Sequence, residues 1–457
     1  MSSNSGVIVN RSNETAPFFQ AIKSRNSKSL PELYSAEINT EAQAQSRVEV
    51  ESSSAGGYNR TMRISLPRYG VLNKLYIKTE FSKATHSASS SNAVQAVPFI
   101  GALAFREVRL MYNGSVIQKA SPYQIISDLW KHGSDNERRK LIDLLGALDQ
   151  ESASFGTGNV ANSVKPSERT TAGQTFFCPL DFFFSSRLSP NRGLDLSVLA
   201  NECILECDIE TQTNIWKKDG TVAALPDLER LSAMCYLTEF DMEVEKQYRS
   251  LQYQAGGAPL TQIAYNTEHV IVATNTAHAS KDTIVDVKLN QFTGQVYKLV
   301  VFAVLTDNFA TNRHRVRPMA LGEIQLKATG TNIFNYNALL SKEDILESYH
   351  SGGNHEAISD TASYATAITC RASNFYELNL KHPYDMSKVS ASGSVAIGQL
   401  SVPSLRVVVP IAGHQMGAQS NVISSGAFDL HVIAYSTTLV SYNTNTSGST
   451  NLRMIQN

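Results

Sequence analysis

Two cysteines four residues apart, Cys203 and Cys207, are the pair in this chain whose type and spacing most invite chemistry. Thiolates hold zinc only by converging on one ion. Ile204-Leu205-Glu206 between them reads as strand, and on a strand rising about 3.3 Å per residue, positions four apart share a face but stand roughly 13 Å from each other. They cannot share a metal. With Leu205 and Ile209 they form an apolar stripe in which free cysteine is a small buried hydrophobe.

The other chemical residue types are dispersed. Of the ten histidines, His350 and His355 flank Ser351-Gly352-Gly353-Asn354 and match no ligand or catalytic spacing, so they read as loop residues. Glu343-Asp344 and Asp241-Met242-Glu243 offer neighbouring carboxylates, but they read as a helix cap and as the outer face of a strand. No phosphate-cradling Gly-x-x-x-x-Gly-Lys-Ser/Thr, no Gly-x-Ser-x-Gly elbow and no His-Glu-x-x-His occurs. The densest basic cluster is Arg313-His314-Arg315-Val316-Arg317. Arg313, Arg315 and Arg317 could contact an anionic partner, although a solvated loop or a contact between subunits is the more economical reading. Arg138-Arg139-Lys140 reads as the polar face of a helix. Sequons at Asn10, Asn13, Asn59, Asn113 and Asn445 are short enough to arise by chance.

Strands must position whatever these residues do. In Lys74–Phe81, Leu75, Ile77, Thr79 and Phe81 alternate with Lys74, Tyr76, Lys78 and Glu80. A period of two with one apolar face marks a half-buried strand of an antiparallel sheet. Thr61–Leu66 repeats the pattern. Asn113-Gly114 between two apolar runs signals a hairpin, because a type I′ turn needs positive φ at both central residues. Further strands are predicted over 175–184, 203–209, 233–245, 268–273, 284–289, 296–305, 323–327, 375–380, 405–411, 428–434 and 452–455.

Helical signals are few. Ser121-Pro122 gives a cap and a first-turn proline before Ile125, Ile126, Leu129 and Trp130. Asp135 would cap a second helix carrying Leu141, Ile142, Leu144, Leu145 and Leu148. Ser341 with Asp344 resembles a capping box opening a third, Lys342–Tyr349. Stretches 82–95, 152–172 and 412–425 read as exposed loops. Tyr248–Thr267, with Gly256-Gly257 and Pro259, reads as a junction between two β domains. The predicted class is all-β: two consecutive antiparallel β-sandwiches with a few short inserted helices. The predicted layout is an arm over 1–45, then domains over 46–250 and 251–457.

Bulk properties agree. A chain of 457 residues exceeds one ordinary core and suits two domains of about 200 residues each. It is 42% hydrophobic and 18% charged, which favours compact folding, and its net charge of −1 argues against wrapping nucleic acid. Five cysteines, an odd and sparse number, argue for a reducing compartment over a disulfide framework. No apolar run approaches the roughly 18 residues of a membrane-spanning helix, and Met1–Ser12 lacks the apolar core of a secretory signal. A soluble chain made in the cytoplasm is expected.

The order of these segments resembles the double jelly-roll major capsid proteins of double-stranded DNA viruses, a lineage of large eukaryotic viruses, virophages and tailless membrane-containing phages. Met62-Arg63-Ile64-Ser65-Leu66-Pro67-Arg68-Tyr69-Gly70-Val71-Leu72, then Leu75-Tyr76-Ile77, is similar to that family's early strand, basic turn and second strand. Leu103–Leu110 with Asn113-Gly114 resembles its glycine hairpin, and Phe177-Cys178-Pro179-Leu180-Asp181-Phe182-Phe183-Phe184 its Pro-Leu-aromatic strand. Tyr236–Glu243, Phe375–Leu380, Ser392-Gly393-Ser394, His431–Tyr435 and Asn451–Ile455 are similar to later strands and a late turn. Tyr69-Gly70-Val71 stands where the family commonly has an acidic residue, and the loops are short.

The resemblance, which runs from about residue 46 to the end, implies two jelly rolls and a non-enzymatic role with no cofactor. It implies pseudo-hexameric homotrimers assembling into an icosahedral virion shell. The implied partners are the chain itself, neighbouring trimers, minor capsid and penton proteins and an internal membrane, with no sequence-specific nucleic acid. Arg313, Arg315 and Arg317 would then be an inner-surface or inter-subunit basic contact. Synthesis in the host cytoplasm and residence in the virion follow. Alternatives are a minor capsid or glycan-binding spike protein of the same lineage, or a double jelly-roll glycan-processing amidase. The amidase would need an acidic pocket between the lobes.

Overall fold

A computed structural model describes residues 43–82, 85–86, 93–97, 99–132, 144–146, 163–164, 174–185, 193–219, 222–240, 260–274, 282–306, 321–328, 331–337, 375–380, 394–409, 427–444 and 450–455. In chain order its strands begin with β1 (Gln43–Glu51), β2 (Thr61–Ser65), β3 (Val71–Phe81), β4 (Thr85–His86), β5 (Ala93–Ala96), β6 (Phe105–Tyr112), β7 (Ser115–Ala120) and β8 (Ser163–Val164). There follow β9 (Gln174–Pro179), β10 (Leu194–Asp195), β11 (Cys203–Ile209), β12 (Trp216–Asp219), β13 (Val222–Ala224) and β14 (Leu228–Phe240). The second half holds β15 (Leu260–Thr274), β16 (Thr283–Lys288), β17 (Gln295–Leu305), β18 (Glu323–Ala328), β19 (Thr331–Asn337), β20 (Tyr376–Asn379), β21 (Ser404–Val409), β22 (Phe428–Thr444) and β23 (Thr450–Ile455). The α-helices among the described residues are α1 (Ile100–Leu103), α2 (Pro122–His132) and α3 (Gln212–Ile215).

The pairing defines two jelly rolls of the same topology. In the first lobe one sheet runs β1-β14-β3 with β9 and β10 on the far side of β3, and the other runs β2-β11-β6-β7. Counting only these sandwich strands, with β9 and β10 sharing one place, the orders are 1-8-3-6 and 2-7-4-5. The second lobe repeats them without interruption as β15-β22-β17-β20 and β16-β21-β18-β19, all neighbours antiparallel. β23 pairs with the far end of β22. The first lobe's inserts meet one another. β12-β5-β8 and β13-β4 join segments that follow the third, fifth and seventh sandwich strands.

Local sequence explains these elements. Leu75, Ile77, Thr79 and Phe81 of β3 are buried and the intervening residues are not, as period two requires. Asn113 and Gly114 take φ of 48° and 76°, so the predicted hairpin joins β6 to β7. Helix α2 begins at Pro122 as predicted, but the buried Ser121 hydroxyl finds no hydrogen-bond partner among the described residues. The Gln124 N–H instead donates to the Ser121 carbonyl at 3.1 Å.

Several expectations need correction. The strand predicted over 175–184 stops at Pro179, which has no N–H. Phe182, Phe183 and Phe184 then turn inward, held by Ser185, whose hydroxyl donates to the Leu180 carbonyl at 2.5 Å. The loop expected over 82–95 contains β4 and the start of β5. The junction expected over 248–267 is strand from Leu260 onward, paired with β22 along its length. Strand β1 begins inside the last residues of the expected arm and continues into the first domain, where no strand is predicted from the sequence. The helix Lys342–Tyr349, most of the helix after Asp135, and loop 412–425 lie outside the described residues.

Candidate functional site

The most chemically dense region of the described chain lies where the two lobes meet. One contiguous apolar cluster holds the first lobe's core together with Tyr297, Val300, Phe302, Val304, Phe375, Ile433, Tyr435, Val440, Tyr442 and Leu452 of the second lobe. The second lobe's own core is a separate cluster. The outer face of the β15-β22-β17-β20 sheet is therefore covered in large part by the first lobe, where it meets α2 and the β7 edge, while Ile271 on β15 stays 54% exposed. This accounts for β17, where every residue from Val296 to Leu305 is buried. A strand buried on both faces reads as a continuous apolar run.

A charge sits inside this seam. Lys298 and Glu377 are each 5% exposed. The Lys298 ammonium lies 3.3 Å from Glu377 Oε1 and 3.6 Å from Asp128 Oδ1, and 4.0 Å from the centre of the Tyr435 ring. Tyr435 donates its hydroxyl hydrogen to Asp128 Oδ1 at 2.9 Å. Burial opposes the charge on Lys298, but Glu377 and Asp128 outweigh it and hold the ammonium above its ordinary pKa. Burial, reinforced by Asp128, pushes the Tyr435 phenol well above its ordinary range. Asp128 belongs to α2 and the other three to the second lobe, so the network spans both.

Two histidines neighbour it. His269 Nε2 and His431 Nδ1 are 3.0 Å apart, and His431 stacks on Phe302 at 4.7 Å with Tyr123 of α2 at 5.1 Å. Burial pushes His269 down to about 4, so it is neutral near pH 7. Thr267 donates to Gln124 Oε1 at 2.8 Å across the seam. Beside these groups a groove of about 780 Å³ opens between β7 and β15. Among the described residues Glu268 supplies the single carboxylate of its lining, and Glu268 accepts bonds from Thr293. Paired-carboxylate chemistry finds no support in that groove.

The residues singled out from sequence fall elsewhere. Cys203 and Cys207 are buried in the first lobe's core on β11, as the strand reading required. With Cys178 and Cys235 they are free thiols whose pKa values burial raises, to about 12 for Cys203 and Cys235. No group of three or more His, Cys, Asp or Glu able to hold a metal occurs among the described residues. Asn59 and Asn113 are exposed, Asn59 at φ 54° and Asn113 in the hairpin. Arg313, Arg315 and Arg317 lie outside the described residues, as do His350, His355, Cys370, Arg138-Arg139-Lys140, both carboxylate pairs and the other three sequons. Sequence reading missed the seam. The available signal was Lys298 standing alone in the apolar run Val296–Leu305, with Glu377 alone between Tyr376 and Leu378.

Comparison with known proteins adds independent findings. Residues 39–234 match the family model described as major capsid protein N-terminus. No curated protein sequence matches. Among solved structures, the PBCV-1 VP54 structure fitted into a reconstruction of the virophage Sputnik superposes with TM-score 0.62 at 13% identity, covering 90% of this chain and 96% of that one. The Faustovirus major capsid protein gives 0.58 at 12% identity, with coverages of 87% and 90%. The mavirus major capsid protein gives 0.52 at 9% identity, with coverages of 89% and 90%. The fold is the double jelly roll, and the resemblance read from the sequence is to the proteins that share it.

Proposed function

We propose that this chain is a major capsid protein that assembles as pseudo-hexameric homotrimers into the shell of an icosahedral double-stranded DNA virus. The observation that carries the reading is the fusion of two equivalent jelly rolls through a buried seam. Such a subunit presents two similar lobes, and three copies present six, a tile for a near-hexagonal lattice. The match of the first lobe to capsid-protein N-termini supports the same reading. In the proposed layout residues 1–45 form an arm, 46–250 the first jelly roll and 251–457 the second.

Function then resides in surfaces. Apolar contacts between copies drive assembly, because burying apolar area is the main favourable contribution to association. Neighbouring trimers, minor capsid and penton proteins and an internal membrane are the proposed partners. Arg313, Arg315 and Arg317 are proposed as a basic contact on the inner surface or between subunits. The proposed route is synthesis in host cytoplasm, then residence in the virion. Sedimentation of the purified chain tests the reading: a homotrimer is expected, and a stable monomer at high concentration overturns it. Electron microscopy of the same sample should show pseudo-hexagonal particles.

A further inference from the structure

We propose that Lys298 and Asp128 join through a side-chain amide, a covalent cross-link that the chain forms within itself and that ties α2 of the first lobe to β17 of the second. The reacting groups already stand together. The Lys298 ammonium lies 3.6 Å from Asp128 Oδ1 and 3.3 Å from Glu377 Oε1. The side chains of Lys298, Asp128 and Glu377 are 7%, 13% and 4% exposed, so little water reaches them. An amine and a carboxyl held at contact distance in such a site need no encounter step, and desolvation is what makes a lysine a nucleophile towards a carbonyl.

Topology puts each group in its role. In the second lobe's sheet Lys298 stands opposite Tyr435 on β22 and Asn379 on β20. Glu377, two residues from Asn379, shares its face. Helix α2 brings Asp128 onto that face from the first lobe. Tyr435 donates to Asp128 Oδ1 at 2.9 Å, so it polarises this carboxyl and steadies the oxyanion that forms at Oδ1. Glu377 is the carboxylate nearer the ammonium and takes its proton. Asp128, the more exposed of the two, is the carboxyl from which a water can escape.

The step balances with the groups that the seam holds. Glu377 and Asp128 keep Lys298 charged at rest, so the reactive form is a minor one in which an ammonium proton has moved to Glu377 Oε1. The amine lone pair then forms a bond to Asp128 Cγ. Glu377 relays protons to Oδ2, the Cγ–Oδ2 bond breaks and water leaves. Two of the ammonium protons depart with that oxygen and the third stays on the amide nitrogen. Nothing is oxidised or reduced, and no co-reactant is consumed. The product replaces a buried ion pair, whose desolvation is costly, by a neutral amide. The Tyr435 ring, centred 4.0 Å from Lys298 Nζ, screens the new bond from hydrolysis.

Mass spectrometry of the full-length chain, denatured and then digested with trypsin, tests the proposal. The wild-type chain should be lighter than its sequence by one water. Its digest should hold a branched peptide joining Lys298 to Asp128, with no cleavage after Lys298. Asp128→Asn should give the same branched peptide, with ammonia leaving in place of water. Lys298→Arg should keep its full mass. Glu377→Gln retains both bonded residues and should form the amide at least about a hundredfold more slowly, the usual contribution of a positioned general base. Far-UV circular dichroism checks that the variants fold, and the wild-type digest decides the matter even where one does not. A wild-type chain of full sequence mass, cleaved by trypsin after Lys298, overturns the proposal and leaves an ion pair in its place. A branch from Lys298 to Glu377 overturns the assignment of Asp128 as the acceptor.

Discussion

β3 and β17 occupy the same place in the two jelly rolls, yet they meet different surroundings. On β3 burial alternates, with Tyr76, Lys78 and Glu80 only partly covered between buried Leu75, Ile77, Thr79 and Phe81. On β17 both faces are buried, and the position of a solvated lysine is taken by Lys298 inside a carboxylate cage. Topology does not account for the contrast, because both strands are the third of eight with the same sheet neighbours. The cause is the neighbour across the outer face. β17 has α2 against it within the chain, and β3 has no counterpart among the described residues. Equivalent strands thus carry different sequences because one finds its cover in cis.

Substitutions in matched pairs would break that comparison or sharpen it. The largest effect is expected from Lys298→Met, which leaves Glu377 and Asp128 buried without their cation. Urea titration should show a loss of about 3–5 kcal/mol. Ile433→Ala removes a buried seam side chain and should cost about 3 kcal/mol by the same measurement.

Acid comes next. The folded pKa of His269 is lowered from 6.5 to about 4, so the unfolded chain takes up the proton first. Its stabilisation is complete above pH 6.5 and is lost as pH falls from 6.5 towards 4. About 2–3 kcal/mol should disappear in that window in wild type and much less in His269→Gln, read from melting curves against pH. The smallest effects belong to the first lobe's face. Tyr236→Ala should cost under about 1 kcal/mol in dilute monomer. Lys78→Met should cost no more than that, because the ion pairs it removes are partly solvated. If Lys78→Met cost as much as Lys298→Met, the first lobe's face would already be covered.

Much of this fold was legible in the sequence, and its failures have physical causes. β3, β11 and the β6–β7 hairpin declared themselves through period two and Asn113-Gly114. β1 did not, because Gln43-Ala44-Gln45-Ser46-Arg47 offers little apolar alternation, and its place is set by backbone pairing with β14. The first half of β15 was hidden by Thr261, Gln262, Asn266 and Thr267, polar residues close to Pro259. The seam was least visible. Lys298 and Glu377 are 79 residues apart, and Asp128 comes from the other lobe. Periodicity reports which face of a strand is apolar, and says nothing of which distant element will cover it.

The seam also imposes an order on biosynthesis. The first lobe's last strand is complete at Phe240, and α2 is made well before that. Tyr435, which bonds to Asp128 of α2, is added 307 residues after it. Until then the nascent chain displays an aromatic helix face carrying Tyr123, a surface of the kind that draws chaperones and proteases. A chain that stops before β22 keeps that face open and one that includes β22 closes it, so the seam distinguishes the paired lobes from a first lobe alone.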